Sequence, residues 1–252
     1  MITVKDIFDF IDSFAPFETQ ESWDNSGMLI GDISKEVNTV AVCLDITPET
    51  IENAKINGAD LIVSHHPVIF NPVSNVLKGS PVYMLLESDL SAICAHTNLD
   101  IATGGVNDVL AQLLELEDIS VLQDKDNTGI LRIGKTKKST PLDFAKLVSE
   151  KLGTTVRIAK GGRDIETVAV CGGSGCSFIP DVIASGIDAF VTGDAKHNDF
   201  LDAGDNCLTL VVAGHYETEN PAMPVLAKLL HNQFPTISVL YMDSNPAEYI
   251  NF

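Results

Sequence analysis

Short apolar runs rich in β-branched residues alternate with helical patterns along most of the chain. The runs predict strands at Val40–Leu44, Leu61–Ser64, Ile93–Ala95, Val168–Cys171, Ala189–Thr192, Leu208–Ala213 and Ser238–Met242. Helical spacing predicts helices at Val4–Ser13, Pro48–Asn57, Val82–Glu87, Val106–Leu114, Leu142–Leu152, Pro180–Ala184 and Pro221–His231. In two of these a proline at the first helical position follows a capping residue, at Thr47-Pro48 and Asn220-Pro221. Strand–helix alternation of this kind predicts an α/β fold of βαβ units around largely parallel sheets.

The pattern repeats. Residues 39–45 (TVAVCLD) match 167–173 (TVAVCGG) at an offset of 128, which also aligns Gly58 with Gly186 and Asp60 with Asp188. Further on the offset slips to 119, where 94–100 (CAHTNLD) parallels 213–219 (AGHYETE). Each half runs strand, helix, strand ending in polar residues, then a strand followed by His-x-x-x-acid. This predicts two similar α/β lobes, 1–125 and 126–252, facing each other with a site between them at the carboxyl ends of the strands.

Composition narrows the class of partner. The net charge is −19, with 16 Lys+Arg against 35 Asp+Glu. Nucleic-acid binding draws on clustered cations, and the only short basic cluster is KTKK at 135–138, so a polynucleotide partner is disfavoured. No apolar run approaches the ~20 residues of a membrane span, and the acidic N-terminus does not read as a secretory signal; a cytoplasmic location is expected. The five cysteines are sparse and are expected to be structural thiols without disulfides.

The chemistry concentrates in the histidines. His65 and His66 close a strand just before Pro67, where two adjacent imidazoles can converge instead of pointing to opposite faces. Asp100 and Glu219 occupy equivalent places in the two His-x-x-x-acid segments, the second of which begins with His215. Imidazole with carboxylate suits Zn, Fe, Mn, Co or Ni. Three imidazoles and two carboxylates leave coordination positions for solvent, which favours catalysis or ligand capture over structural support. His96, Asp194 and His197 are candidates for orienting these ligands or moving protons. The turn at 23–27 (WDNSG) is explained as a turn alone. The glycine-rich 171–177 (CGGSGCS) lacks the spacing of a nucleotide loop and is weak evidence for phosphate binding.

At 23–27 (WDNSG), 64–67 (SHHP), 96–100 (HTNLD), 168–175 (VAVCGGSG), 192–197 (TGDAKH) and 214–219 (GHYETE) the chain resembles the Nif-three-like dinuclear metal centre family, whose members are often labelled GTP cyclohydrolase 1 type 2 homologues. The resemblance implies two divalent metal ions per chain on His65, His66, Asp100, His215 and Glu219, with Glu219 bridging. It also implies a toroidal homohexamer, and a chain of this length leaves no room for the inserted middle domain of longer members. Two functions follow: a metal-dependent hydrolase of a small nucleotide-like or phosphate-bearing molecule, or a non-catalytic metal-binding or scaffold ring.

Overall fold

In the computed structural model, which describes residues 1–245, the chain forms two compact units. One comprises Met1–Leu99 with the segment returning at Met223; the other is Asp100–Ala222. The chain passes from one unit to the other inside a short helix at 99/100 and returns at 222/223. The reason is the strand Ser238–Tyr241, which pairs in parallel with Thr39–Cys43 and draws the chain's end back to the first unit.

In chain order the first unit contains α1 (Val4–Phe14), β1 (Gly27–Ile30), β2 (Thr39–Cys43), α2 (Pro48–Ile56), β3 (Leu61–Ser64), α3 (Pro81–Glu87), β4 (Ser91–Cys94) and the start of α4 (Thr97–Ile101). The second contains α5 (Val106–Leu113), β5 (Glu117–Val121), β6 (Arg132–Ser139), α6 (Pro141–Leu152), β7 (Arg157–Ala159), β8 (Ile165–Cys171), α7 (Ile179–Ala184), β9 (Ala189–Thr192), α8 (His197–Asp205), β10 (Thr209–Val212) and α9 (His215–Glu219). α10 (Ala222–Gln233) then leads to β11 (Ser238–Tyr241).

The first sheet has the order β1-β4-β3-β2-β11, parallel except for β1. The second has the order β5-β6-β8-β9-β10-β7, in which only β8, β9 and β10 are parallel. The antiparallel strands were not legible in the sequence. β6 is half surface: Lys135 pairs with Asp118 and Lys138 with Glu166, so two of the three lysines of the basic cluster are engaged by neighbouring acids. Alternate residues of the second sheet feed two cores. Val168, Val170 and Val191 pack with Leu110 of α5 and with Phe144 and Val148 of α6; Ala169, Phe190 and Leu210 pack with Ile179 and Val182 of α7 and Ala203 of α8. In the first unit Ala41, Cys43, Ile62 and Ala92 meet Ile51 and Ala54 of α2 and Leu85 of α3.

The repeat is structural. Asp60 Oδ2 accepts from the Asn38 and Thr39 amides at 2.7 and 3.1 Å, and Asp188 Oδ2 from Glu166 and Thr167 at 3.1 and 2.9 Å. Gly58 and Gly186 both take positive φ, 68° and 69°, after their helices. The ladder partners of β3 and β9 align Ser91 with Thr209, one residue less than the offset read from the histidines. The extra residue of the second unit is Gly214, whose φ of 95° turns the chain into α9.

Caps account for the helix starts. Thr47 accepts from Thr50 N with Pro48 behind it, as predicted. Asn220 does not cap α10: its φ/ψ of −56/−31 are helical and it ends α9. Among the described residues no helix is long and apolar enough to cross a membrane.

Candidate metal centre

His65 and His66 follow β3 directly, and their amides bond to Cys43 O and Leu44 O at the end of β2. The two rings turn to the same side, with centroids 5.1 Å apart. His96, one residue beyond Ala95 at the end of β4, joins them: its ring lies 5.1 Å from His65 and 5.6 Å from His66. The three imidazoles offer nitrogen atoms within 4.8 Å of one another, a group able to hold a metal ion.

Each ring is aimed through Nδ1. His65 Nδ1 lies 2.9 Å from Ala95 O, His66 Nδ1 2.7 Å from Asp45 Oδ1, and His96 Nδ1 2.7 Å from Asp24 Oδ1. These acceptors place the ring proton on Nδ1 and leave Nε2 as the nitrogen that can bind a cation. Asp24 is itself closely held. Its Oδ2 accepts from Thr97 N at 3.1 Å, Thr97 Oγ1 at 2.5 Å and Ser26 Oγ at 3.0 Å. Burial alone would raise this carboxyl, but the bonds from His96 and Thr97 outweigh it and hold it well below the usual carboxylate range.

The second unit holds a group of its own, in which the acids lie. α9 is five residues long, so His215 and Glu219 lie one turn apart on one face, with His215 Nε2 3.0 Å from Glu219 Oε2. His215 Nδ1 lies 2.6 Å from Asp194 Oδ2, the same construction as in the first unit. Asp100 and Glu219 are 7% and 4% exposed, and their carboxylate oxygens lie within 4.8 Å. Two ionised carboxylates at that distance repel by on the order of 3 kcal/mol at an effective dielectric of ~20. A cation between them offsets both charges. This donor set fits a divalent metal.

The glycine loop packs against these acids. A Cβ on Gly173, whose φ is 57°, would overlap the Glu219 carboxylate; on Gly172 it would lie 3.1 Å from Glu219 Cγ. The loop amides are taken by side chains: Gly172 N donates to Asn107 Oδ1, Gly173 N to Thr218 Oγ1 and Gly175 N to Thr192 Oγ1. The glycines therefore serve close approach, and these amides do not cradle a phosphate. Buried Asn107 also donates to Asp100 O at 3.2 Å, joining the Asp100 backbone to the loop beside Glu219.

Of the remaining candidates, Asp194 orients His215, and His197 is exposed at the first turn of α8. The roles of Asp24 and Asp45 were missed. Asp45 follows the first repeated strand in the manner of an acid at a strand end, which was the available signal; Asp24 lay inside a turn that explained itself. Cys171 is buried near Asp100 and Glu219, and burial foremost, then those carboxylates, push its thiol up. Burial and Asp199 push Cys176 up to about 12. All five cysteines are free thiols.

The family model of DUF34/NIF3 (NGG1p interacting factor 3) matches residues 2–247. A GTP cyclohydrolase 1 type 2 homolog from Streptomyces coelicolor is 35% identical over 236 residues, 88% of this chain and 83% of its own. One from Clostridium perfringens is 32% identical, covering 87% and 88%. Among solved structures, Staphylococcus aureus protein SA1388 superposes with a TM-score of 0.91 at 29% identity over 99% of both chains. A Bacillus cereus protein related to NIF3 reaches 0.92 at 21% identity over 100% of this chain and 99% of its own, a likeness of fold.

Proposed function

Because this chain belongs to the DUF34/NIF3 family, we propose that His65, His66, Asp100, His215 and Glu219 hold two divalent metal ions, and that the protein is a metal-dependent hydrolase of a small nucleotide-like or phosphate-bearing molecule. The observation that carries this reading is the uniform Nδ1 anchoring of the histidines, three of them on carboxylates. Satisfying a surface imidazole needs no such repetition; presenting Nε2 to a cation does. Divalent ions held there would polarise a substrate oxygen and acidify water toward pKa ~7. The chain's own part is to fix geometry. Asp45 and Asp194 aim His66 and His215, Ala95 O aims His65, and Asn107 holds the Asp100 backbone. Glu219, buried beside both His215 and Asp100, is the carboxylate suited to bridging. The names of the curated relatives support a nucleotide-like substrate.

The protein is further proposed to act in the cytoplasm as a toroidal homohexamer. The second reading is a ring that binds metal without turnover, favoured by a donor set that could serve delivery as well as hydrolysis. Elemental analysis after reconstitution with Zn, Mn or Fe tests the centre: two ions per chain are expected, and fewer than one would overturn it. Asp45→Asn is expected to weaken metal binding about 10–100-fold without changing the saturated stoichiometry. A metabolite screen on the loaded protein separates the readings. Hydrolysis that is lost in ligand variants of unchanged native mass identifies an enzyme; the same biological effect in those variants identifies a scaffold.

A further inference from the structure

The sole tryptophan of the chain, Trp23, is 56% exposed, and Phe70 beside it is 47% exposed. Their centroids are 5.9 Å apart at 44°, and each ring meets His96 edge to face, at 6.0 and 6.3 Å. These two large apolar surfaces lie one ring away from the imidazole group of the first unit. Exposed aromatic rings of this size forgo burial that a neighbouring core would give them.

The turn that carries Trp23 is held by hydrogen bonds. Asp24, next to Trp23, is pinned by His96, Thr97 and Ser26. Asn25 Nδ2 donates to Ile69 O at 2.6 Å, which ties the residue before Phe70 to the turn that carries Trp23. Ser26 N donates to Gln20 Oε1 at 2.7 Å, and Ser26 Oγ accepts from His96 N at 3.1 Å. The polar side chains of this turn are thus spent on presenting the indole outward, which the turn reading alone does not explain. At 5.9 Å the two rings already fill the space between them, so a guest lies on their exposed side.

We propose that Trp23 and Phe70 form a stacking platform for a planar heteroaromatic ring whose anionic arm reaches toward His65, His66 and His96. The inference deepens the metal-centre reading and takes its anionic arm from it. Ring stacking reads the π-face of any base, and a polar arm supplies orientation. A purine nucleoside monophosphate combines both features, which makes GMP a fitting probe. The net charge of −19 disfavours phosphate elsewhere on the surface and leaves recognition to a local site.

The experiment uses intact protein and the unique tryptophan as reporter. GMP, AMP and inorganic phosphate are titrated into the zinc-loaded and the chelator-stripped protein while Trp23 emission and heat are followed. Saturable quenching by GMP and AMP in both forms is expected, tighter with metal, with none from phosphate. Phe70→Leu and Trp23→Leu keep apolar bulk but remove the stacking face. Each is expected to weaken GMP about tenfold, ~1.4 kcal/mol, with phosphate affinity unchanged. Absence of quenching in both metal forms, or unaltered GMP affinity in both variants, overturns the platform. Quenching by GMP in a protein that binds no metal would retain the platform and refute the metal-centre reading instead.

Discussion

Glu219 concentrates the chemistry of the second unit. It is 4% exposed, contacts His215 through the next helical turn, and is backed by a loop that must be glycine to make room for it. Glu219→Gln keeps its volume but removes the negative charge that would offset the two proposed dications, and an amide bridges poorly. Elemental analysis of Glu219→Gln is expected to find nearly no bound metal, and His65→Ala about one ion per chain. Two ions retained by Glu219→Gln would move the bridging role to Asp100. The anchoring acids are a separate tier, since they act on the ring nitrogen opposite the one that binds. The residues read from the sequence were those with ligand chemistry at strand ends. Asp24 and Asp45 act only through a partner remote in sequence, at separations of 72 and 21 residues, and so left little local trace.

The glycine loop and the strand-end acids are the elements that position the site. Gly173 takes a left-handed φ of 57°, and a side chain there meets Glu219 and His215 together. Gly173→Ala is expected to lower metal affinity at least tenfold while leaving the helical content measured by circular dichroism within error. Wild-type affinity in that variant would show that the loop can withdraw from the acids. Asp188 is an anchor of a different kind. Its burial raises the carboxyl, but bonds from Thr167 and Glu166 and the Arg163 guanidinium hold it below the usual range. A lowered folded pKa contributes stability that is fully present above the unfolded value of ~3.9 and is lost as pH falls through the folded one. Asp188→Asn should therefore be less stable than wild type at neutral pH by urea denaturation, the deficit closing as the pH drops below ~3.9. An equal deficit at all pH values would assign the loss to packing.

At the scale of the whole molecule, the strands that end at the candidate residues belong to two sheets of different make-up. Each keeps a parallel trio, β2-β3-β4 and β8-β9-β10, with an antiparallel strand beside the third. Their cores rest on apolar burial independent of the ligand residues. Chelation should accordingly leave the native mass of the proposed hexamer unchanged. Dissociation on chelation would mean that the metal holds the assembly together, and the hydrolase reading would lose its support.

The sequence by itself determined what is local. Continuous apolar runs specified the six strands of the two parallel trios, the repeat aligned them, and motif chemistry singled out His65, His66, Asp100, His215 and Glu219. Only the tertiary structure decided what depends on pairing at a distance. β5, β6 and β7 carry too many polar residues to read as buried strands and exist because a sheet edge satisfies their backbones. The unit boundary inside α4 follows from β11 pairing with β2, some 200 residues earlier in the chain by the register of Ser238 with Thr39. The direction of each imidazole follows from which acceptor the fold brings to Nδ1, and no spacing in the sequence encodes that partner.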